Sequence, residues 1–205
     1  MTALPALEEL EAQMVQDLSL PLKSNLVFGE GNPEAKVLFV GEAPGAVEDE
    51  QKRPFVGRAG QLLNKLIENI GWRREDVYIT NVVKRRPPEN RDPLPEEIEA
   101  YKPYLEREIA IVNPKIIVPL GRFAMSYFLP DGKISRDQGA VFLSKGILIM
   151  PAYHPAAALR NPNLIADLKD AFAKLPKLIE KHQEIMERKL SEAQENAPKT
   201  PHSLF

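Results

Sequence analysis

The sequence predicts an α/β protein in which helices cover both sides of a mostly parallel sheet. Residues 37–40 and 115–120 are short apolar runs without alternation, the pattern of strands that are buried on both faces. Residues 77–83 are rich in β-branched side chains, which strands favour. Segments with helical periodicity separate these runs, and strands that alternate with helices predict parallel pairing.

The other segments extend this alternation in chain order. Leucines and a methionine at three- and four-residue steps predict an amphipathic helix over residues 3–18, and a connector follows over 20–32. Residues 141–150 predict two strands joined at Lys145-Gly146. Further helices are predicted over 62–70, from Pro95 onward with a kink or division at Pro103, over 122–128, and over 163–190 with a break at Pro176.

Composition narrows the possible classes of function. The 205 residues carry a net charge of −2, so local basic patches must meet any anionic partner. The chain has no cysteine, which excludes disulfides, thiolate catalysis and cysteine-held iron–sulfur clusters. No apolar run has the length of a membrane span and no targeting peptide is evident, so we expect a cytosolic protein. We predict one domain over residues 1–190 and a flexible polar tail over 191–205.

Three predicted strands end in unusual sequences, GEAPG, TNVVKRRPP and PAYHPAAALRNP. Open α/β sheets bind ligands at the carboxyl ends of their strands, so convergent polar groups there predict a site. Glu42 suits a general base or a carboxylate that stabilises a cationic transition state, because its acidic loop would repel phosphate. Asn81 ends the second strand, and His154 follows the last strand. A metal site is not expected, because the chain supplies too few ligands near His154.

Each candidate also has a structural interpretation that the residues alone leave open. Glu42 could be an exposed turn carboxylate, and Asn81 could cap a turn instead of reading one edge of a pyrimidine. Phe55 either anchors its basic loop in the core or offers a platform on which a base stacks. A lone histidine such as His154 is more often structural than catalytic.

Basic side chains are concentrated in the same loops. Scattered, they would form a solvated face, whereas at one rim they would contact phosphates. They are Arg53, Arg58, Lys84, Arg85, Arg86, Arg91 and Arg160.

The motifs GEAPGAVEDEQKRPFVGRAGQLLN, VYITNVVKRRPPENR, PKIIVPLG and HPAAALRNP together resemble the successive motifs of family 4 uracil-DNA glycosylases. The resemblance covers residues 26–175 with the motifs in the same order. It implies a three-layer α/β/α sandwich with a four-stranded, mostly parallel central sheet. It also implies that uracil is flipped out of DNA and its N-glycosidic bond hydrolysed, which leaves an abasic site in base excision repair.

The resemblance assigns roles to five residues of the predicted pocket. Glu42 matches the carboxylate that activates or positions water, and Ala43 a position whose backbone lines the pocket. Phe55 matches the aromatic that stacks on uracil, and Asn81 the amide that reads its N3/O4 edge. His154 matches the histidine that stabilises the departing base.

The resemblance also predicts the surroundings of this pocket. Asn90 matches a polar residue near the base, and Ala157 to Arg160 matches the loop that enters the duplex, with Leu159 and Arg160 as the intruding pair. The predicted partner is uracil-containing DNA, double- or single-stranded, bound by a monomer in the cytoplasm at the nucleoid. The predicted DNA-contacting residues are Arg53, Arg58, Lys84, Arg86, Leu159 and Arg160.

One feature departs from the family, which holds a 4Fe–4S cluster with four cysteines. The corresponding positions are near Leu18 and Pro21 and at Arg85 and Tyr101, and none is a cysteine. We therefore predict an enzyme without cofactor or metal. Packing of Leu18, Leu22 and Tyr101 is expected to replace the cluster.

Two alternatives to catalytic turnover are weighed against the sequence. Related glycosylases that bond covalently to DNA carry an inserted histidine loop after the second strand; residues 81–90 lack both, which favours turnover. A non-catalytic module that binds uracil or damaged DNA is the alternative function.

The ending Ser203-Leu204-Phe205 resembles the end of a peptide that docks on the sliding clamp. A random apolar terminus is the alternative interpretation of these three residues.

Overall fold

A computed structural model describes residues 2–195, which form six strands and nine α-helices. The predicted clamp-docking residues, Ser203 to Phe205, lie outside the described part. The strands are β1 (Glu30–Gly31), β2 (Val37–Gly41), β3 (Tyr78–Asn81), β4 (Ile116–Pro119), β5 (Phe142–Ser144) and β6 (Ile147–Ile149). The helices are α1 (Ala3–Gln16), α2 (Ala46–Gln51), α3 (Arg58–Asn69), α4 (Pro95–Val112), α5 (Gly121–Phe128), α6 (Ile134–Asp137), α7 (Pro155–Arg160), α8 (Leu164–Glu180) and α9 (His182–Glu195).

The six strands form one sheet in the order β1-β3-β2-β4-β6-β5. The four central strands are parallel, with Phe39 paired to both Ile79 and Val118, and Ile117 paired to Ile149. The two edge strands, β1 and β5, pair antiparallel. The prediction of four strands is therefore correct for the parallel centre and wrong for the whole sheet. Strand β1 has only two residues, too few to produce a periodic signal.

Helices pack on both faces of the sheet, which confirms the predicted three-layer α/β/α class. Successive side chains of a strand point to opposite faces. Phe39 accordingly packs with Phe172 of α8 and Leu63 of α3, and its neighbour Leu38 packs with Leu105 of α4 and Leu10 of α1. All five side chains are buried. The sheet centre is covered on both sides, so polar side chains can converge only at its ends.

Two helices differ from the expectation for internal proline. Pro103 lies within α4 and Pro176 within α8, and neither divides its helix. Leu105 lies two residues after Pro103, and Leu175 directly precedes Pro176. Both leucines are buried, and packing of these apolar faces offsets the hydrogen bond that proline removes. The break in the last helical segment falls at Lys181 instead.

The end of the described chain also extends beyond the expected boundary. Helix α9 continues to Glu195, so the first five residues of the predicted tail, 191–195, are helical. Among residues 2–195, no helix combines the length and the apolar character needed to cross a membrane.

Candidate active site

A cavity of about 540 Å³ opens at the carboxyl ends of the parallel strands. It lies where Gly41 of β2 and Asn81 of β3 pair side by side. Its wall brings together seven of the residues predicted from sequence, which are Glu42, Ala43, Phe55, Asn81, Asn90, His154 and Arg160. Segments far apart in the chain therefore meet because parallel strands end at one edge.

Gly41 makes room for two of these side chains. A Cβ built on Gly41 would lie 2.3 Å from Oδ1 of Asn81 and 2.6 Å from the ring of Phe55. Asn81 is only 3% exposed, and within the described chain no group hydrogen-bonds to its side-chain amide. Because Asn81 lines the cavity, the donor and acceptor of this amide are available for a ligand.

Phe55 is anchored in the core and also faces the cavity. The residue is 5% exposed and belongs to the core cluster that includes Phe39 and Leu63, yet its ring also lines the cavity. The ring centroids of Phe55 and His154 are 5.6 Å apart. The ring is thus a rigid cavity wall that is anchored in the core.

Glu42 is a carboxylate whose environment opposes ionisation. Burial and the nearby Asp92 raise the pKa of Glu42 to about 7, and Arg122 partly offsets this. A carboxyl with this pKa changes its charge near neutral pH, which suits a general base.

His154 is held as a neutral imidazole at the start of α7. Its Nδ1 accepts a hydrogen bond from the backbone N–H of Ala156 at 3.1 Å, so the proton of the neutral ring is on Nε2. Burial and the charge of Arg160 lower the pKa of His154 to about 4, against the opposing effect of Glu48. At neutral pH this ring is an uncharged hydrogen-bond donor.

The prediction that Lys84 contacts DNA is wrong. Its side chain is fully buried, forms an ion pair with Glu108 and donates to Thr80. A cation paired in the interior cannot reach a phosphate.

The other predicted DNA-contacting side chains lie at the surface, in different settings. Arg160 lines the cavity and Leu159 is 39% exposed. Arg58 is exposed at the start of α3. Arg53 pairs with Glu30 at 2.7 Å, and Arg86 donates to Oδ1 of Asn90 at 2.7 Å.

Three charged residues of the cavity wall were absent from the sequence-based prediction of the pocket. Arg122 donates to Asp92 at 2.7 Å, and both line the cavity. Glu48 of α2 also lines it and accepts hydrogen bonds from the backbone of Val56 and Gly57. Arg122 directly follows Gly121, which begins α5 shortly after the end of β4, and this nearby strand end could have indicated Arg122. Asp92 and Glu48 gave no comparable signal.

The four positions that correspond to the family's cluster cysteines do not fit an iron–sulfur cluster. The phenol of Tyr101 donates to the carbonyl of Pro21 at 2.7 Å, and the Arg85 guanidinium donates to the carbonyl of Ser24. None of these side chains supplies a thiolate. The expected packing of Leu18 is wrong, because this residue is 88% exposed, whereas Tyr101 is fully buried. Within residues 2–195, no group of three or more His, Cys, Asp or Glu side chains could hold a metal ion.

Comparison with known protein families matches residues 28–177 to the uracil DNA glycosylase superfamily. The chain is 49% identical over 166 residues to the type-4 uracil-DNA glycosylase of Sulfurisphaera tokodaii, covering 76% of each chain. It is 46% identical over 170 residues to the type-4 enzyme of Archaeoglobus fulgidus, covering 78% of this chain and 85% of the relative. It is also 49% identical over 143 residues to that of Thermotoga maritima, covering 68% and 74%. The chain therefore belongs to the uracil DNA glycosylase superfamily, among the type-4 enzymes.

Proposed function

We propose that this protein is a monofunctional uracil-DNA glycosylase that flips uracil out of double- or single-stranded DNA and hydrolyses its N-glycosidic bond. The observation that carries the proposal is the Asn81 amide, which has no hydrogen-bond partner among residues 2–195 and lines one cavity with Glu42, Phe55 and His154. A base within a duplex cannot reach such a cavity, so it must leave the stack first.

Recognition of the base follows from two of these side chains. The Phe55 ring offers a face on which the flipped ring stacks. The Asn81 amide offers a donor to the uracil O4 and an acceptor for the N3–H. In the amide orientation that pairs with uracil, cytosine would present an amino group to the NH2 and an unprotonated nitrogen to the oxygen, so both hydrogen bonds would be lost. A buried amide left unpaired in this way strongly disfavours the wrong base.

Cleavage of the bond separates charge between the sugar and the base. The C1′–N1 bond breaks, and negative charge grows on the uracil O2 while positive charge grows on the sugar. The Nε2–H of neutral His154 donates a hydrogen bond to O2 and keeps its proton. Ionised Glu42 stabilises the sugar cation and accepts a proton from the water whose oxygen bonds to C1′. Protonation of the uracil anion then completes hydrolysis to free uracil and an abasic site.

Residues around the cavity would hold the DNA. Leu159 is an exposed apolar side chain at the end of α7, suited to fill the space that the flipped base vacates. Its neighbour Arg160 is placed to contact a phosphate, as are Arg58, Arg86 and Arg53 around the same loops. Because all proposed catalytic groups come from one chain and act on DNA, we expect a monomer in the cytoplasm, at the nucleoid.

We further propose that the enzyme works without an iron–sulfur cluster. Hydrogen bonds tie the connector before β1 to the segments that would carry the other cysteines. Tyr101 bonds to Pro21, Tyr104 donates to Asp17 at 2.5 Å, and Arg85 bonds to the carbonyl of Ser24. These contacts support a polar staple in place of metal.

A uracil-containing oligonucleotide followed by hot alkali tests the function. We expect strand cleavage at uracil by the wild-type protein, and rates at least about 100-fold lower for Asn81→Ala and His154→Ala. The control variant is His182→Ala, which removes a histidine outside the cavity. Binding of uracil-containing DNA without any cleavage would favour the alternative, a non-catalytic recognition module.

A sliding-clamp contact through Ser203-Leu204-Phe205 is a separate proposal that rests on sequence alone. Deletion of residues 201–205 should weaken capture of the protein by an immobilised clamp and leave uracil excision unchanged. Equal capture of both proteins would refute this contact.

A further inference from the structure

The backbone of Phe55 is held in an unusual conformation. Its φ of +51° lies in the left-handed region, which bulky side chains rarely adopt. Such a conformation persists only when its surroundings hold it. The ring orientation at the cavity wall therefore depends on contacts to the backbone of residues 54–57.

Arg74 supplies contacts from the side away from the cavity. Its guanidinium donates to the carbonyl of Pro54 at 2.5 Å and to that of Phe55 at 3.1 Å. It also donates to Oδ1 of Asn64 at 2.9 Å and pairs with Glu30 at 3.4 Å. The side chain is 17% exposed and does not line the cavity. The planar guanidinium presents its N–H donors in a fixed fork that reaches acceptors on two sides, a geometry that the single ammonium of lysine cannot reproduce.

Glu48 supplies the complementary contacts from the other side. Its Oε1 accepts from the N–H of Val56 at 3.1 Å and from the N–H of Gly57 at 2.7 Å. A cation thus holds two carbonyls, and an anion holds the next two amides. Gly60 allows α3 to pack closely beneath, since a Cβ there would lie 1.8 Å from the carbonyl oxygen of Phe55.

We propose that Arg74 and Glu48 form a polar clamp that sets the Phe55 ring in its stacking position before DNA arrives. Arg74 is then a positioning residue for base recognition, although it touches neither base nor DNA. This inference rests on the proposed function. Without the clamp, the ring must be ordered when the base enters, and that cost reduces the affinity gained from stacking.

The central experiment compares Arg74→Gln with Arg73→Gln in steady-state uracil excision. Arg73 is the matched control, because its side chain is 70% exposed and, among residues 2–195, pairs only with Glu75 and Asp76 in the same turn. We expect R74Q to raise KM about 10-fold (about 1.4 kcal/mol), with a much smaller change in kcat. R74K should remain impaired, and R73Q should match the wild-type protein.

A double-mutant cycle separates positioning from general destabilisation. If Arg74 acts through Phe55, R74Q should add little to the defect of Phe55→Ala. Additive defects, or equal behaviour of R74Q and R73Q, would overturn the clamp while leaving the proposed function intact. Absence of excision by the wild-type protein would instead overturn both. If R74Q does not fold, Glu48→Gln in the same cycle gives the decision, because it weakens the clamp from the opposite side.

Discussion

Arg122 and Asp92 form an ion pair at 2.7 Å in the wall of the cavity that contains Glu42. The pair joins the start of α5 to the loop before α4, two segments that are 30 residues apart in sequence. Its two members act on Glu42 in opposite directions, since Asp92 raises the pKa of that carboxyl and Arg122 lowers it. The charge of the proposed base is therefore set partly by residues that do not contact it through a hydrogen bond.

The first prediction concerns the pH dependence of excision. Because the pKa of Glu42 is about 7 and its ionised form is the active one, single-turnover rates should rise as pH passes through 7. His154, with a pKa of about 4, stays neutral over that range. Asp92→Asn should lower the pKa of Glu42 and make the enzyme about two- to fivefold faster than wild type at pH 6. Arg122→Gln should move the profile to higher pH. Shifts in the same direction would contradict this account.

Gly41 should be essential for the positions of the Asn81 amide and the Phe55 ring in the cavity. Gly41→Ala would displace both the Asn81 amide and the Phe55 ring, and misplacement by about 1 Å costs about 100-fold in rate. We expect a loss of that size or greater in kcat/KM. Gly146→Ala is the control, because a Cβ there meets nothing within 4 Å although its φ of +80° is strained. That variant should lower Tm and retain kcat. Full activity of G41A would show that neither side chain needs this position.

Loss of one partner of the buried Lys84–Glu108 ion pair should lower the free energy of unfolding. Lys84→Met leaves the Glu108 carboxylate buried without its cation, which typically costs about 3–5 kcal/mol in the free energy of unfolding. Urea unfolding measures this loss. The double variant K84M/E108Q removes both charges, keeps an acceptor for Tyr78 and Thr80, and should recover much of this loss. A double variant no more stable than K84M would contradict the role of the ion pair.

Arg160 should contribute one phosphate contact. Removing one such contact reduces the slope of log Kobs against log salt concentration by about 0.9. We expect that change for Arg160→Gln on uracil-containing duplex DNA, measured on a background in which excision is slow, such as Asn81→Ala. Arg73→Gln should leave the slope unchanged. An equal slope for both variants would remove Arg160 from the phosphate-contacting set.

The polar staple should stabilise the connector without metal. Tyr101→Phe removes the hydrogen bond to the Pro21 carbonyl and should cost about 1–3 kcal/mol, because the carbonyl loses its partner. Urea unfolding measures this change in the free energy of unfolding, and an excision assay checks that the variant keeps its activity. Tyr104→Phe, at a more exposed bond to Asp17, should cost less. Purified protein should contain no iron and show no visible absorbance; a brown preparation would be evidence against the cluster-free proposal.

The sequence alone was sufficient to predict the α/β/α class and the meeting of Glu42, Asn81 and His154. The physical reason is that Asn81 ends a strand while Glu42 and His154 come after strands, and parallel strands end at the same edge of a sheet. Strand periodicity and chain order carry that information, so no knowledge of distant contacts is required. The short edge strand β1 was missed because two residues have no period.

The tertiary structure decided the features that depend on partners far away in the chain. Lys84 was expected in a basic rim, but it forms a fully buried ion pair with Glu108, which lies on α4. Leu18 was expected to pack and is exposed, whereas Tyr101 fixes the connector through a backbone carbonyl. The same holds for the contact of Arg74 with the Phe55 backbone, 19 residues earlier. Local patterns determine where a strand ends, but only the packed chain determines which charge meets which partner, because those contacts join segments that no sequence period connects.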